Sequence, residues 1–257
     1  MLEVSGVSLA FGGVFANRDI NLAVGGGELR GVIGPNGAGK STLLNLISGH
    51  LRPQAGTIEF DGERVDSLPA HRRARLGIAI VFQGARLFPA MTVIENVMVG
   101  ATALTKAGAL AAVLRTPSQR REERTIRESA RESLERVGLT AWADRDAAIL
   151  PLGQQRRMQL ARALTARPKL LLLDEPASGL RSSERESLSE LLGQLKADGM
   201  SIMLIEHDVP MVMRVADRIT VLDLGEVISD GTPETVRSDP RVIAAYLGTG
   251  AAAHADH

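Results

Sequence analysis

The first part of the chain alternates apolar and polar residues over short segments, a pattern typical of half-buried β-strands. The apolar positions form two groups, Val4, Val7 and Leu9, then Ile20, Leu22 and Val24. A glycine turn at residues 25–27 leads into a third apolar segment at residues 28–33. We therefore predict strands and turns for the region before residue 34.

The spacing of apolar residues changes after a glycine-rich loop at residues 34–39. Leu43, Leu44 and Ile47 recur at helical intervals, and Gly49 follows as a helix stop signal. A strand, a glycine loop and a helix are therefore predicted in direct succession.

Later segments continue this alternation of strands and helices. Short apolar runs predict strands at residues 77–82, 169–174, 201–205 and 219–222, and helical spacing predicts helices at 183–196 and about 209–216. Ser183 and Glu186 are spaced as a capping box for the first of these helices. The run at 169–174 is predicted to be a central parallel strand. The order of elements indicates an α/β layer with a parallel sheet.

Residues 84–167 lack strand signals and are predicted to form a helical lobe inserted into this layer. Within them, Ile126, Ala130, Leu134 and Val137 follow one helical face of a charged segment. We predict one domain over residues 1–248. Residues 249–257 have nothing to bury and are predicted to be a flexible tail.

Composition narrows the classes of function. The 257 residues include 30 Lys and Arg against 30 Asp and Glu, and no cysteine. A balanced charge disfavours nucleic acid as the main partner, and the lack of cysteine rules out disulfides, thiolate zinc sites and a cysteine nucleophile. No apolar run reaches the ~18 residues of a membrane span, and the first residues do not resemble a signal peptide. We expect a cytoplasmic location.

The glycine-rich loop carries the clearest chemistry. It matches the pattern G-x-x-x-x-G-K-[ST] with Gly34, Pro35, Asn36, Gly37, Ala38, Gly39, Lys40 and Ser41, followed by Thr42. Backbone N–H groups in such a loop turn toward phosphate oxygens, and the helix N-terminus adds positive potential. Lys40 would reach the outer phosphates, and the Ser41 hydroxyl would ligate Mg²⁺. The alternative is a chance glycine turn.

Two carboxylates, Asp174 and Glu175, follow a leucine-rich predicted strand. Ligands bind at the carboxyl ends of parallel strands. Asp174 would hold Mg²⁺ directly or through water, and Glu175 would act as general base on the attacking water. For this pair alone, solvated acids at a strand end are an equal or better explanation, but the phosphate loop favours the functional interpretation.

These motifs, in this order, resemble those of ATP-binding cassette (ABC) subunits of membrane transporters. The resemblance runs from about Leu2 to Gly248 and includes Gln83, the segment LPLGQQRR at 150–157, and His207. It implies an α/β P-loop ATPase core with an N-terminal antiparallel β subdomain and an inserted helical subdomain. It also implies ATP and Mg²⁺ as cofactors.

The same resemblance implies a head-to-tail dimer with each ATP between two subunits. The phosphate loop of one chain would face Leu152, Gly153 and Gln154 of the other, which we call the signature residues. Gln83 would link Mg²⁺ and the attacking water to the transmembrane contact, and His207 would contact the γ-phosphate and orient the water.

An aromatic ring stacks on adenine in this family, and Phe11 occupies its position. Phe15 is a nearby competitor, and core packing is the alternative role for either ring. A stacked ring contributes ~1 to 3 kcal/mol.

Two residues depart from the family pattern. Pro151 replaces a serine and offers neither a hydroxyl nor an N–H, and Arg181 stands where Asp or Asn is usual. Proline also suits the first turn of a helix, which would leave the N–H groups of Gly153 and Gln154 to make the contact. The departures suggest pairing with a different ATPase subunit, with a homodimer as the alternative.

Several short stretches are similar to the ATPase subunits of bacterial branched-chain amino acid importers, at residues 11–13, 86–88, 91–99, 115–118, 153–157, 205–208 and 245–248. This implies a peripheral subunit at the cytoplasmic face of the inner membrane that powers import through permease subunits. A short permease helix would dock near residues 83–96, and a periplasmic solute-binding protein would take part indirectly. Urea, short amides or another small solute are alternative cargoes. A non-transport ABC clamp and a nucleotide-binding regulatory module are alternative functions.

Overall fold

The computed structural model describes residues 1–84, 87–104 and 117–252, and the side chains of these residues except at 102–104, 117–120 and 247–252. The strands in this part are β1 Leu2–Phe11, β2 Val14–Val24, β3 Leu29–Ile33, β4 Ala55–Phe60, β5 Glu63–Arg64, β6 Ile78–Val81, β7 Leu170–Asp174, β8 Ser201–Ile205, β9 Arg218–Asp223 and β10 Glu226–Gly231. The α-helices are α1 Lys40–Ser48, α2 Ala70–Leu76, α3 Val93–Met98, α4 Pro117–Arg136, α5 Leu152–Leu164, α6 Ser182–Ala197, α7 Val209–Val215, α8 Pro233–Ser238 and α9 Pro240–Ala252.

A four-stranded antiparallel sheet has the order β2-β1-β4-β5. Its inward positions include Val4, Ile20 and Ile58, which are buried against α1 and the larger sheet. This sheet contains the strands predicted from the alternating pattern of the first segments. Strands β4 and β5 were missed because a glycine and several charged residues weaken their apolar pattern.

The larger sheet has the order β10-β9-β3-β8-β7-β6. All neighbouring strands from β9 to β6 are parallel, and β10 pairs antiparallel with β9. Every residue of β3, β7 and β8 is buried, as expected for parallel strands covered on both faces. The prediction of an interior parallel strand at β7 is confirmed. Its carboxyl end, with those of β3, β6 and β8, lies along one edge of the sheet.

Between β6 and β7 the regular elements of the described chain are helices joined by loops, apart from an isolated β-bridge between Thr92 and Asp146. Ala130, Leu134 and Val137 are fully buried, so the apolar face predicted for α4 packs inward. We propose that this segment forms a subdomain. The motif positions at 86 and 115–116 lie outside the described residues.

The capping box predicted at Ser183 and Glu186 is wrong. Helix α6 begins one residue earlier, with Arg181 as its N-cap, and the Arg181 N–H donates to Glu184 Oε2 at 2.9 Å. Glu186 instead accepts from Arg214 of α7 at 2.7 Å. The buried Leu180 fixes the chain immediately before the helix, which places Glu184 rather than Glu186 at the third helical position.

Helix α9 continues through residues 249–252, the first part of the predicted tail. Residues 253–257 of that prediction lie outside the described residues. None of the described helices combines the length and apolar character needed to cross a bilayer.

Candidate active site

The glycine-rich loop joins the carboxyl end of β3 to the start of α1 and borders a cavity of about 220 Å³. The lining comprises Asn36, Gly37, Ala38, Gly39, Lys40, Ser41 and Thr42, together with Ala16, Glu175 and His207. The Lys40 ammonium donates to the carbonyl oxygens of Gly34 and Pro35, each at 2.8 Å. Burial lowers the pKa of Lys40, while the charges of Glu175 and Asp174 oppose this effect. The loop thus holds a cation beside backbone groups suited to phosphate.

Strand β2 packs against this loop at Gly39. Gly39 has φ of 96°, and a Cβ at this position would lie 2.1 Å from the carbonyl oxygen of Ala16. The fully buried Asn17 donates from Nδ2 to the Gly39 carbonyl at 3.2 Å. Sequence reasoning missed Ala16 and Asn17. An asparagine at an inward position of an otherwise apolar strand face was the available signal.

Asp174 ends β7 beside the start of α1. Its Oδ1 accepts from the Ser41 hydroxyl at 3.4 Å. Burial raises the pKa of Asp174, as does the nearby Glu175 charge, whereas Ser41, Lys40 and His207 lower it. The structure therefore brings together two of the three residues expected to ligate Mg²⁺.

This donor set fits Mg²⁺. The ion takes oxygen ligands at ~2.0 to 2.1 Å in an octahedron, so adjacent ligand atoms lie about 3 Å apart, close to the Ser41–Asp174 separation. Among the described residues no group of three His, Asp or Glu side chains could hold a metal. An ion here would complete its shell with water and phosphate oxygens, as Mg²⁺ commonly does.

Glu175 is held at both carboxylate oxygens. Its Oε2 accepts from Gln83 Nε2 at 2.7 Å, and its Oε1 lies 2.6 Å from His207 Nε2. The Glu175 N–H donates to the carbonyl of Ile205 at 2.9 Å. Three residues that are distant in sequence therefore meet at the edge of the phosphate cavity, in the combination expected for a general base and its orienting groups.

The backbone of Glu175 is in a left-handed conformation, with φ of 49°. Such a conformation costs a non-glycine residue about 1 to 3 kcal/mol, and it persists only where the surroundings impose it. Here it turns the carboxylate from the strand end toward Gln83 and His207. The amide nitrogen of Gln83 faces Glu175, so its oxygen is the atom that could ligate a metal.

The signature residues lie elsewhere. Leu152, Gly153 and Gln154 form the first turn of α5, and none of them lines the cavity of the phosphate loop. A Cβ on Gly153 would lie 2.7 Å from Glu184 Oε1, so α5 and α6 approach closely at this point. One chain therefore does not bring its signature residues to its own phosphate loop.

The sequence suggested that Pro151 lies in the first turn of α5. In the structure it is instead the N-cap of that helix. Its carbonyl oxygen accepts from the Gln155 N–H at 2.9 Å. The proline therefore starts the helix through its backbone. It has no hydroxyl to contribute to a ligand in front of the helix.

Phe11 and Phe15 lie at the hairpin between β1 and β2, with 53% and 46% of their surfaces exposed. Core packing, the alternative role considered for these rings, is therefore wrong. Neither ring lines the phosphate cavity, but Ala16, the neighbour of Phe15, does. The guanidinium carbon of Arg18 lies 5.5 Å from the centre of the Phe15 ring. Phe11 has no such cation over it among the described contacts.

Comparisons with known proteins agree with these features. A family model described as "ABC transporter" matches residues 17–178, and one described as "Branched-chain amino acid ATP-binding cassette transporter" matches residues 226–252. The high-affinity branched-chain amino acid transport ATP-binding protein BraF of Pseudomonas aeruginosa is 44% identical over 249 residues, covering 96% of this chain and 98% of BraF.

Two solved structures show the same architecture. The ADP conformation of MJ1267, an ATP-binding cassette of an ABC transporter, has a TM-score of 0.84 at 29% identity, covering 96% of this chain and 98% of that one. A dimeric post-hydrolysis state of the cassette MJ0796, bound to ADP and Pi, has a TM-score of 0.74 at 28% identity, covering 91% and 99%.

Proposed function

The chain belongs to the ATP-binding cassette family of ABC transporters and is an ATPase, and from this premise we propose that it powers import of branched-chain amino acids. The main observation that supports hydrolysis is the position of Glu175, which Gln83 and His207 hold at the edge of the phosphate cavity. The match of residues 226–252 to a branched-chain amino acid cassette model and the likeness to BraF support the solute class.

In the proposed reaction Lys40 and the N–H groups of residues 36–42 bind the phosphates of ATP. Ser41, Asp174 and Gln83 would hold Mg²⁺, which supplies charge neutralisation on the phosphates when bound. Glu175 accepts a proton from the attacking water, and His207 orients that water against the γ-phosphate. Phe11 would stack on adenine.

The separation of the signature residues from the phosphate loop supports a head-to-tail dimer. In this arrangement Leu152, Gly153 and Gln154 of one chain contact the ATP bound by the other. The dimeric MJ0796 cassette supports two such domains acting together. Pro151 lacks the hydroxyl of the usual serine, and the exposed Arg181 stands where Asp or Asn is usual. We propose that both weaken the contact that this chain offers across the dimer, which favours a partner with a different sequence.

Hydrolysis rates test this pairing. The full chain should be assayed alone, with a co-purified second ATPase, and as Pro151→Ser. We expect the pair to be faster than the isolated chain. Full activity of the isolated chain, unchanged by Pro151→Ser, would contradict unequal pairing.

A cavity of about 400 Å³ between α2, β6 and α5 supports docking of a permease. Its lining is largely apolar and includes Ile80, Phe82 and Ala163, with His50 and Arg162 among the polar groups. The lining includes Phe82, the residue before Gln83. A short helix from a membrane subunit bound here would therefore lie next to the segment that positions Glu175. We propose a peripheral location at the cytoplasmic face of the inner membrane, with a periplasmic solute-binding protein acting indirectly.

Transport assays test the solute. The chain should be co-purified with its membrane subunits, reconstituted in vesicles, and supplied with labelled leucine, urea or acetamide and with ATP. We expect ATP-dependent uptake of leucine that Glu175→Gln abolishes. Uptake of urea or acetamide without leucine would favour the alternative solutes. Purification without any membrane protein would favour a non-transport clamp.

A further inference from the structure

Arg156 joins three segments that are far apart in sequence. It lies in the second turn of α5, and its Nη1 donates to the main-chain oxygen of Gln83 at 3.0 Å. Its Nη2 donates to the main-chain oxygen of Ser178 at 3.3 Å, in the loop that follows Glu175. A further bond runs from Nη1 to Gln159 Oε1 at 3.3 Å. One guanidinium thus connects α5, the helix of the signature residues, with the segment that follows β6 and with the segment that follows the general base.

Glu206 adds a buried carboxylate near this junction. It is 3% exposed, and its two oxygens accept from the N–H groups of Ala177 at 2.6 Å and His207 at 3.2 Å. Burial lowers the pKa of Arg156, and the charge of Glu206 opposes that effect. Glu206 and Arg156 therefore hold adjacent residues of the segment after Glu175, Glu206 at the Ala177 N–H and Arg156 at the Ser178 carbonyl.

The geometry of Arg156 is not optimised for stability. Its Nε is buried and has no hydrogen-bond partner among the described residues. An unsatisfied buried donor costs about 1 to 3 kcal/mol. The hydrogen bonds to Gln83, Ser178 and Gln159 offset this cost and hold the guanidinium at the junction.

The adjacent Arg157 provides an internal comparison. It is also partly buried and also donates to main-chain oxygens, but its partners are Val137 at 2.6 Å and Ser187 at 3.4 Å, with a further bond to the Ser187 hydroxyl at 2.6 Å. These partners belong to the end of the α4 region and to α6. None of them holds Glu175.

We propose that Arg156 is a positioning residue that transmits the position of the signature helix to Glu175. Gln83 and His207 hold the two carboxylate oxygens of Glu175. Arg156 binds the main-chain oxygens of Gln83 and Ser178, and the neighbouring Ala177 is bound by Glu206, which also accepts from the His207 N–H. A shift of α5 would therefore move the groups that orient Glu175 while leaving Lys40 and Ser41 in place.

This inference rests on the proposed hydrolytic role of Glu175 and adds a consequence for the dimer. The first turn of α5 would contact ATP bound by the partner subunit. Arg156 would then make hydrolysis in one site respond to nucleotide in the other.

The test compares Arg156→Gln, Arg156→Lys and Arg157→Gln in the full chain, in the assembly where the wild type hydrolyses ATP. Misplacement of a catalytic group by about 1 Å can cost ~100-fold in rate, so we expect Arg156→Gln to lower kcat at least ~10-fold. The Kd for ATP should stay within about twofold, because the phosphate loop is not involved. Arg156→Lys should remain impaired, because an ammonium lacks the planar fork that reaches both carbonyls. Arg157→Gln should keep the wild-type kcat.

Hydrogen–deuterium exchange of the nucleotide-free proteins gives a readout independent of activity. We expect faster exchange in residues 82–84 and 176–180 of Arg156→Gln, and no change there in Arg157→Gln. Equal kcat and equal exchange in the two glutamine variants, or full rescue by Arg156→Lys, would overturn the inference. A loss of ATP affinity as large as the loss of kcat would also overturn it.

If Arg156→Gln fails to fold, Arg156→Lys is compared with Arg157→Lys instead. We then expect a lower kcat and faster exchange in Arg156→Lys, and wild-type values in Arg157→Lys. Loss of hydrolysis in Glu175→Gln tests the underlying function separately. An active wild type with an unaffected Arg156→Gln variant would refute only the role of Arg156.

Discussion

His207 Nε2 lies 2.6 Å from Glu175 Oε1, so the imidazole that follows β8 directly contacts the carboxylate that follows β7. The two strands are parallel neighbours, with Asp174 opposite Ile205. Each side chain extends from the carboxyl end of its strand into the same edge of the sheet. Their contact places an imidazole where it can orient a water that Glu175 deprotonates.

Replacement of Glu175 by glutamine removes the proposed general base while keeping the shape of the side chain. General base catalysis contributes about 10² to 10⁴ in rate, so we expect kcat to fall by at least ~100-fold. The Kd for ATP should change little, because Lys40 and the loop backbone remain. Phosphate release and equilibrium ATP binding measure the two effects. Glu186→Gln, on the exposed face of α6, is the control. Wild-type turnover in Glu175→Gln would remove Glu175 from its proposed role.

Replacement of Ser41 by alanine tests the proposed Mg²⁺ site. The hydroxyl next to Asp174 would be lost, and we expect the Mg²⁺ concentration for half-maximal hydrolysis to rise about 10-fold or more. Binding of ATP without Mg²⁺ should be retained. Ser48→Ala, at the other end of α1, is the matched control and should keep the wild-type Mg²⁺ dependence. Identical Mg²⁺ titrations for the Ser41 and Ser48 variants would contradict the assignment.

A methyl group at Gly39 should distort the phosphate loop. Its Cβ would overlap the Ala16 carbonyl, and φ of 96° is unfavourable for alanine. We expect Gly39→Ala to destabilise the fold by about 1 to 3 kcal/mol and to abolish detectable ATP binding. Denaturant unfolding and ATP titration measure these effects.

Gly193 offers the control for that substitution. It lies within α6, and a Cβ there meets no atom within 4 Å. Gly193→Ala should therefore stabilise the protein by about 0.5 to 1 kcal/mol. Equal stability of the two alanine variants would show that the approach of β2 to the loop is unimportant.

Glu206 should make stability depend on pH. Burial raises the pKa of this carboxyl in the folded chain above its unfolded value of about 4.3. Between these two pKa values the folded chain therefore binds more protons than the unfolded chain. The free energy of unfolding therefore contains a contribution that is complete below the unfolded pKa and is lost as pH rises through the folded pKa. Glu206→Gln lacks this titration.

We thus expect the stability of Glu206→Gln relative to wild type to increase as pH rises from about 4 through the folded pKa. Urea unfolding of both proteins across this pH range measures the difference. Parallel pH profiles would show that Glu206 is not coupled to folding in this way.

Local patterns were sufficient for the phosphate loop, for strands β1–β3 and β6–β9, and for helices α1, α4, α6 and α7, whereas β10, α2, α8 and α9 were not predicted. The loop of Gly34 to Thr42 depends on adjacent residues, because a strand end, glycines and a helix start all lie within one short segment. The apolar runs of β3, β7 and β8 likewise reflect burial on both faces. These features are properties of neighbouring residues and are visible in their order.

The burial of Arg73 could not be read in this way. A charged side chain is expected at the surface, but Arg73 is fully buried and donates to the carbonyls of Leu46 and Ile47 at the end of α1. Burial lowers its pKa to about 10. Only the packing of α2 against α1 decides this environment, because no local periodicity marks a buried cation.

The types and order of Lys40, Asp174, Glu175 and His207 along the chain are sufficient to indicate nucleotide chemistry, because these residues follow predicted strand ends and a glycine-rich loop. Tertiary packing sets which of these side chains touch, through the strand order that places β6, β7 and β8 side by side. It also separated the signature residues from the phosphate loop and placed Arg156 between Gln83 and Ser178. These contacts join segments that the chain itself keeps far apart, so they depend on sheet order and helix packing rather than on spacing along the chain.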